Sequence, residues 1–300
     1  MKKEIIARGA ITALLTPLNK DGLNLNALEH LLREQINSGI SGILLFGTTG
    51  EPLSLNKIEK RIIFHTAKEI ISKKKPIICG ISSPVTKICI EKAKILENSG
   101  ADALMLITPY YYRVNECGMY MHFKTVCEST KLPVIIYNVP ARTAYDLTAN
   151  MPLLKRISEL PNIIAIKNAQ SDKEKSCNFT LESPLPVYSG CDENNFDILK
   201  SGGIGCISVA SNIYPKSVSD ICKLFFSGDI EKSLKLNKKL LFFYSLLSEE
   251  PNPAPVKFAL AVKLAQNFGE TDYLRLPLSK ISANLQNKII NYMNNGGTLL

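Results

Sequence analysis

The 300-residue sequence has no tryptophan and only three histidines, His30, His65 and His122, all far apart. Its eight cysteines form no C-x-x-C pair, so neither a zinc-site spacing nor a dithiol redox motif is present. Uncharged apolar runs are short: Leu240–Leu247 falls well below the roughly 18 residues a membrane span needs. Met1-Lys2-Lys3 opens the chain, but Glu4 and Arg8 interrupt any apolar segment of the kind a secretory signal carries. Eight thiols without such a signal imply a reducing, cytoplasmic setting with no membrane contact. The glycosylation sequon Asn178-Phe179-Thr180 carries no meaning there.

Arginine is also scarce. Of 36 basic residues only seven are Arg, and the lysines are scattered apart from the run Lys73-Lys74-Lys75. A nucleic-acid binder clusters its positive charge with aromatics, so that class is not expected. The net charge of +9 does suit an anionic small substrate. No G-x-G-x-x-G, G-x-S-x-G or Walker loop occurs; Thr48 stands where a Walker motif requires lysine.

What is present is a globular composition, 45% hydrophobic and 21% charged. A chain this long buries roughly three quarters of its unfolded surface and needs no disulfide or metal for its core. Short, continuously apolar runs alternate with amphipathic segments up to about residue 225. The runs Ala10–Leu15, Gly42–Phe46, Pro76–Cys79, Ala103–Ile107, Val134–Tyr137, Ile163–Lys167, Leu185–Ser189 and Gly205–Val209 read as parallel strands buried on both faces. Between them, Asn26–Ser38, Asn56–Ser72, Thr86–Ser99 and Glu116–Ser129 have helical periodicity, with Gly39 and Gly100 placed as stops. Eight such alternations predict an α/β fold of the (β/α)8 TIM-barrel type; an open doubly wound sheet is the alternative. The predicted domains are a barrel over 1–226 and an α-helical extension over 227–300, packed on it. In the extension, Asp229–Glu249, Val256–Phe268 and Ser279–Asn294 read as helices around the Pro251–Pro255 break.

Barrel active sites lie at the C-terminal strand ends, which can be read in turn. Strand 2 runs into Gly47-Thr48-Thr49-Gly50-Glu51, either an anion cradle or a plain tight turn. Strand 4 runs into Thr108-Pro109-Tyr110-Tyr111-Tyr112, offering a catalytic phenol or an aromatic contact. Strand 5 ends at Tyr137, with Arg142 five residues on, a phenol that can relay protons and a guanidinium that can clamp a carboxylate. Strand 6 ends at Lys167. A lysine there either reaches solvent at the rim or, in a desolvated pocket, supplies a neutral amine that attacks a ketone. Strand 7 ends in Ser189-Gly190-Cys191-Asp192, and Gly202-Gly203-Ile204-Gly205 leads into strand 8.

Taken in order, GTTGE (47–51), TPYY (108–111), YNVPART (137–143), IK (166–167), SG (189–190), GGIG-ISV (202–209) and NPAPVK (252–257) resemble the dihydrodipicolinate synthase family over nearly the whole chain. That family belongs to the pyruvate-dependent class I aldolases, which include N-acetylneuraminate lyase. The resemblance implies a barrel with a C-terminal helical extension, assembled as a homotetramer that is a dimer of dimers. It implies condensation of pyruvate with L-aspartate 4-semialdehyde in the diaminopimelate–lysine pathway, without metal or organic cofactor. Lys167 would form the imine with pyruvate and Tyr137 would move its protons. Thr49 would connect Tyr137 to Tyr111 of a neighbouring subunit. Thr48 and Thr49 would hold the pyruvate carboxylate, Arg142 the carboxylate of the aldehyde, and the backbones of Gly190 and Ile207 would line the pocket.

The arginine of YNVPART favours the synthase over a sugar-acid aldolase or a sialic-acid lyase, and retention of Lys167, Tyr137, Thr49 and Tyr111 argues against a non-catalytic binding barrel. Two departures from the family pattern fall beside the expected pocket: Asn168, where glutamate is common, and Cys191 before Asp192-Glu193. Cys191 and Cys206 are expected to be inert. Pro84, Ile88, Lys57 and Lys60 stand at positions where lysine-inhibited members carry an amide, an acid and two histidines. Weak or absent feedback inhibition by lysine is therefore expected.

Overall fold

A computed structural model describes residues 4–295. The outer ends of the two expected domain ranges, 1–3 and 296–300, lie outside the described residues.

Eight parallel strands form the sheet: β1 (Gly9–Ala13), β2 (Gly42–Leu45), β3 (Ile77–Gly80), β4 (Ala103–Ile107), β5 (Val134–Asn138), β6 (Ile163–Asn168), β7 (Val187–Ser189) and β8 (Gly205–Ser208). They close into a barrel in the order β1-β8-β7-β6-β5-β4-β3-β2. Every residue of β5 and β6 is buried, as the unbroken apolar runs require of strands covered on both faces. All eight predicted runs are strands. Their ends fall within two residues of the predicted ones, and Ala103–Ile107 matches at both. Leu14 leaves β1 yet still donates its N–H to Leu44 O at 2.9 Å. A two-stranded antiparallel pair, Leu18–Asn19 with Gly22–Leu23, was too short to read from the pattern.

The helices following the strands are α1 (Leu25–Asn37), α2 (Lys57–Ile71), α3 (Thr86–Ser99), α4 (Glu116–Glu128), α5 (Met151–Ser158), α6 (Lys173–Glu182), α7 (Asn195–Lys200) and α8 (Pro215–Phe226). Polar caps fix their starts. Asn24 caps α1, and Asn56 with Glu59 forms a reciprocal capping box on α2. Gly100 ends α3 in the left-handed region at φ 84°, which a residue without Cβ adopts freely.

The described chain falls into two compact units. The first runs up to Gly9 and then covers Pro76–Ile207. Within it the β8 backbone crosses Gly9 closely: at Gly205 (φ +150°) a Cβ would lie 1.9 Å from Gly9 O, so only glycine fits.

The second unit covers Ala10–Lys75 and the chain from Ser208 on. It includes three further helices, α9 (Ile230–Ser248), α10 (Ala254–Phe268) and α11 (Ala283–Asn295). The last begins four residues later than its hydrophobic period suggests, because Ser282 Oγ accepts from Leu285 N and starts the helix there. Inside this unit Tyr214 meets Phe243 edge-on at 4.9 Å and Phe243 stacks on Tyr292 at 5.4 Å, joining α8, α9 and α11. Among the described residues no helix is long and apolar enough to cross a membrane.

Candidate active site

Two lysines are buried among the described residues. Lys257 forms an ion pair with Glu51. Lys167 instead faces an aromatic ring: its Nζ lies 4.5 Å from the ring centroid of Tyr137. Strand register sets this contact, since Tyr137 on β5 pairs with Lys167 on β6 and both residues are buried. An amine and a phenol held side by side at neighbouring strand ends can exchange protons with a group bound between them.

Lys167 and the next residue point to opposite faces of the strand. Asn168, the departure expected beside the pocket, directly follows the amine on β6 and is buried. It turns to the other face, where its Oδ1 accepts from Asn138 Nδ2 (3.0 Å) and its Nδ2 donates to Ser176 Oγ on α6 (3.4 Å). Asn138 also donates to Asp146 Oδ1 (3.0 Å) and accepts from Leu147 N (2.9 Å). Gln170 Nε2 reaches Asp146 Oδ2 at 3.1 Å. This amide–carboxylate network fixes the ends of β5 and β6 and the chain returning from the Arg142 turn. Sequence reading missed Asp146 and Asn138; a buried asparagine directly after a strand-end tyrosine was the available signal.

Arg142 lies in the single helical turn Pro140–Thr143 and is exposed. The turn is anchored from beneath: Thr108 Oγ1 donates to Thr143 Oγ1 at 3.0 Å, joining the end of β4 to the YNVPART segment. Gly190 follows β7, and its N–H donates to Asn168 O at 2.7 Å. A Cβ there would come within 2.8 Å of Ala169 Cβ and 2.9 Å of Asn168 O, so the two strand ends approach as they do because position 190 is glycine. Ile207 is fully buried on β8. Burial pushes the Cys191 thiol up to about 11 against the pull of the Lys167 charge, with Asp192 and Glu193 adding to the rise. It therefore stays a neutral thiol near pH 7.

Tyr111 does not fold back on its own chain. It is 90% exposed, with its backbone in the left-handed region at φ 73°, where a bulky side chain is strained. Strain of this kind persists where surrounding structure imposes it, and it clusters at functional positions.

Thr48 and Thr49 belong to the second unit, in a short 3-10 turn, Thr48–Gly50, after β2. Phe46 (φ 58°) and Glu51 (φ 52°) bracket it in the left-handed region. Thr16 Oγ1 donates to Gly50 O at 2.8 Å, and a Cβ on Gly50 would meet Leu14 O at 3.0 Å. Thr49 is buried and accepts a hydrogen bond from Asn252 Nδ2 at 3.2 Å. Next to the turn, the Glu51 and Lys257 side chains are essentially inaccessible. Burial drives the Glu51 carboxyl up and the Lys257 ammonium down, and each partner's charge opposes that drift. Arg275 adds a fork to the carboxylate of Glu59 and donates to Ser54 O at 2.7 Å. The NPAPVK run held Asn252 and Lys257 in view, but nothing in its spacing showed that they would meet the GTTGE turn.

Among the described residues no cluster of three or more His, Cys, Asp or Glu could hold a metal ion. A parallel eight-stranded barrel with a buried lysine against a phenol at adjacent strand ends has the build of a barrel lyase. Residues 6–295 match the dihydrodipicolinate synthetase family. The chain is 37% identical over 282 residues to 4-hydroxy-tetrahydrodipicolinate synthase 1 of Halalkalibacterium halodurans, covering 93% of this chain and 94% of that one. It is 38% identical over 276 residues to the 4-hydroxy-tetrahydrodipicolinate synthase of Thermotoga neapolitana, covering 90% and 92%. Among solved structures, dihydrodipicolinate synthase of Thermotoga maritima superposes with a TM-score of 0.91 at 34% identity, covering 98% of this chain and 100% of that one. The Acinetobacter baumannii enzyme, solved as a complex with pyruvate, superposes with a TM-score of 0.89 at 34% identity, covering 97% and 99%. The chain belongs to the dihydrodipicolinate synthetase family.

Proposed function

We propose that the protein is a 4-hydroxy-tetrahydrodipicolinate synthase, condensing pyruvate with L-aspartate 4-semialdehyde in the diaminopimelate–lysine pathway. The observation that carries this reading is the buried Lys167 amine held 4.5 Å from the Tyr137 ring. A second support is the arginine of the YNVPART turn, exposed and able to take a substrate carboxylate.

In this reading the Lys167 amine adds to the keto carbon of pyruvate and water leaves, forming an imine. The imine draws electrons from the adjacent methyl group, which loses a proton to give an enamine. The enamine carbon bonds to the aldehyde carbon, whose oxygen takes a proton and becomes a hydroxyl. The amine of the second substrate then adds to the imine carbon, releases Lys167 as a free amine and closes the ring. Tyr137 supplies and accepts protons at Lys167. Thr48 and Thr49 take the pyruvate carboxylate, roles carried by the GTTGE motif, and Arg142 takes the carboxylate of the aldehyde substrate. Gly190 and Ile207 line the pocket through their backbones. Tyr111, with its exposed ring, serves a second copy of the chain within a homotetramer. We read residues 1–226 as the catalytic barrel and 227–300 as its helical extension, in a cytoplasmic enzyme.

Borohydride reduction in the presence of pyruvate, followed by peptide mass mapping, tests the chemistry. A reduced adduct is expected on Lys167 and none on a Lys167→Ala variant. Turnover of L-aspartate 4-semialdehyde then distinguishes the synthase from a sugar-acid aldolase. A folded wild-type protein that traps no pyruvate would overturn the assignment and return the barrel to the class of binding proteins.

A further inference from the structure

The Thr49 hydroxyl has one proton and two lone pairs, and what it can do for a bound carboxylate depends on which of them its own chain occupies. Its neighbour here is an amide nitrogen. Asn252 Nδ2 donates to Thr49 Oγ1 at 3.2 Å, and an amide NH2 can only donate. The contact therefore fills a lone pair and leaves the Thr49 proton to be given elsewhere. A carboxylate, which only accepts, needs that proton.

Asn252 is placed by the fold rather than by its own sequence neighbours. It lies just ahead of α10, two residues before Ala254, while Thr49 lies just after β2. The two segments are tied by the Glu51–Lys257 ion pair, which links the end of the threonine turn to the first turn of α10 through two inaccessible side chains. Thr16 holds the same turn from the other side through Gly50 O, at 2.8 Å. The amide thus meets the buried hydroxyl from a half-buried position, held there without bound substrate.

We propose that Asn252 is a positioning residue that polarises Thr49, fixing its hydroxyl as a donor toward an anionic substrate, with the Glu51–Lys257 pair holding the two in register. This rests on the reading above that Thr48 and Thr49 take the pyruvate carboxylate. Its consequence is a graded specificity for anions. A donor at position 252 favours a carboxylate at Thr49, a side chain without polar atoms leaves the hydroxyl free to rotate, and an acceptor at 252 claims the Thr49 proton and sets a negative charge beside an anionic ligand.

Asn252→Ala and Asn252→Asp separate this from a structural role, because aspartate is the closer match in shape and alanine the poorer. Pyruvate KM is expected to rise about tenfold in Asn252→Ala, the loss of one orienting hydrogen bond, with kcat within about twofold. In Asn252→Asp it is expected to rise at least about a further tenfold through like-charge repulsion. In a Thr49→Val background, half-saturation of adduct formation on Lys167 reports pyruvate binding without turnover, and alanine at 252 should no longer change it. An Asn252→Asp variant that binds pyruvate as well as Asn252→Ala overturns the proposal. So does an unchanged Asn252→Ala effect in the Thr49→Val background, which would mean that the residue acts through packing alone. Thermal unfolding of each variant identifies misfolding, and the Thr49→Val cycle then carries the test on the folded members. A wild-type protein that traps no pyruvate on Lys167 instead defeats the underlying reading, an outcome recognisable because no variant is needed to see it.

Discussion

Replacing Lys257 with methionine keeps the apolar stem of the side chain and removes the cation paired with Glu51. Both side chains of the pair are inaccessible, at 0% and 1% exposure, so water cannot take over the vacated role. Breaking a buried pair in this way costs about 3–5 kcal/mol, because the remaining charge is uncompensated. Glu51 has one escape, which is to take up a proton. Neutralising a carboxyl of ordinary value 4.5 at pH 7 costs about 1.4 kcal/mol per pH unit, which caps the penalty near about 3.5 kcal/mol. At pH 5 the same escape costs only about 0.7 kcal/mol.

The loss should therefore depend on pH. In the variant the folded-state pKa of Glu51 is raised above its unfolded value, so the native state holds the extra proton and the deficit grows as pH climbs above 4.5. Urea unfolding followed by circular dichroism, with variant and wild type compared at each pH, should show a deficit of about 3 kcal/mol at pH 7 and below about 1 kcal/mol at pH 5. For a chain of this length the pH 7 deficit corresponds to a melting temperature about 5 °C lower. Adding Glu51→Gln to Lys257→Met should recover most of the loss and flatten its pH dependence. An equal deficit at both pH values, or a double variant no better than the single one, would refute the buried-charge argument.

A second titration should appear in acid. His122 is buried on α4, with Nδ1 2.9 Å from Thr86 Oγ1 and Nε2 without a partner among the described residues, and burial depresses its pKa to about 4 from 6.5. The unfolded state therefore binds the proton first, and the stability gained from keeping His122 neutral is lost as pH falls from about 6.5 to about 4, by at most about 3.5 kcal/mol. His122→Gln should remove that slope from the unfolding free energy measured across the interval; an unchanged slope assigns it to other groups. Feedback is the other expectation. Pro84 and the exposed Ile88 offer no side-chain oxygen to an ammonium group. Turnover should therefore be indifferent to added L-lysine, and inhibition at submillimolar concentration would contradict this.

Much of the fold was legible because its signals are local. The apolar run Ile163–Ile166 could be read as a strand covered on both faces, and Lys167 stood out as the charged residue ending it. Helix limits followed from side chains one turn away, such as Asn56 with Glu59. Where a boundary rested on a hydrogen bond that hydrophobicity does not report, as at Ser282, the pattern was misleading by a few residues. At Asn168 the sequence showed only a departure beside the expected pocket; strand alternation and the contacts with Asn138 and Ser176 decided which network the amide enters.

The sequence by itself determined the class of architecture, the strand-end positions of Lys167 and Tyr137, and the family to which the motifs point. These follow from periodicity and residue chemistry within a few positions of one another. Only the tertiary structure decided that Lys167 lies against the Tyr137 ring, that Gly190 is required by the approach of Asn168 and Ala169, and that Asn252 and Lys257 reach back about 200 residues to Thr49 and Glu51. Register, close approach and buried charge pairing depend on which distant segments share a neighbourhood. That is set by closure of the barrel and packing of its helices, and no local pattern encodes it.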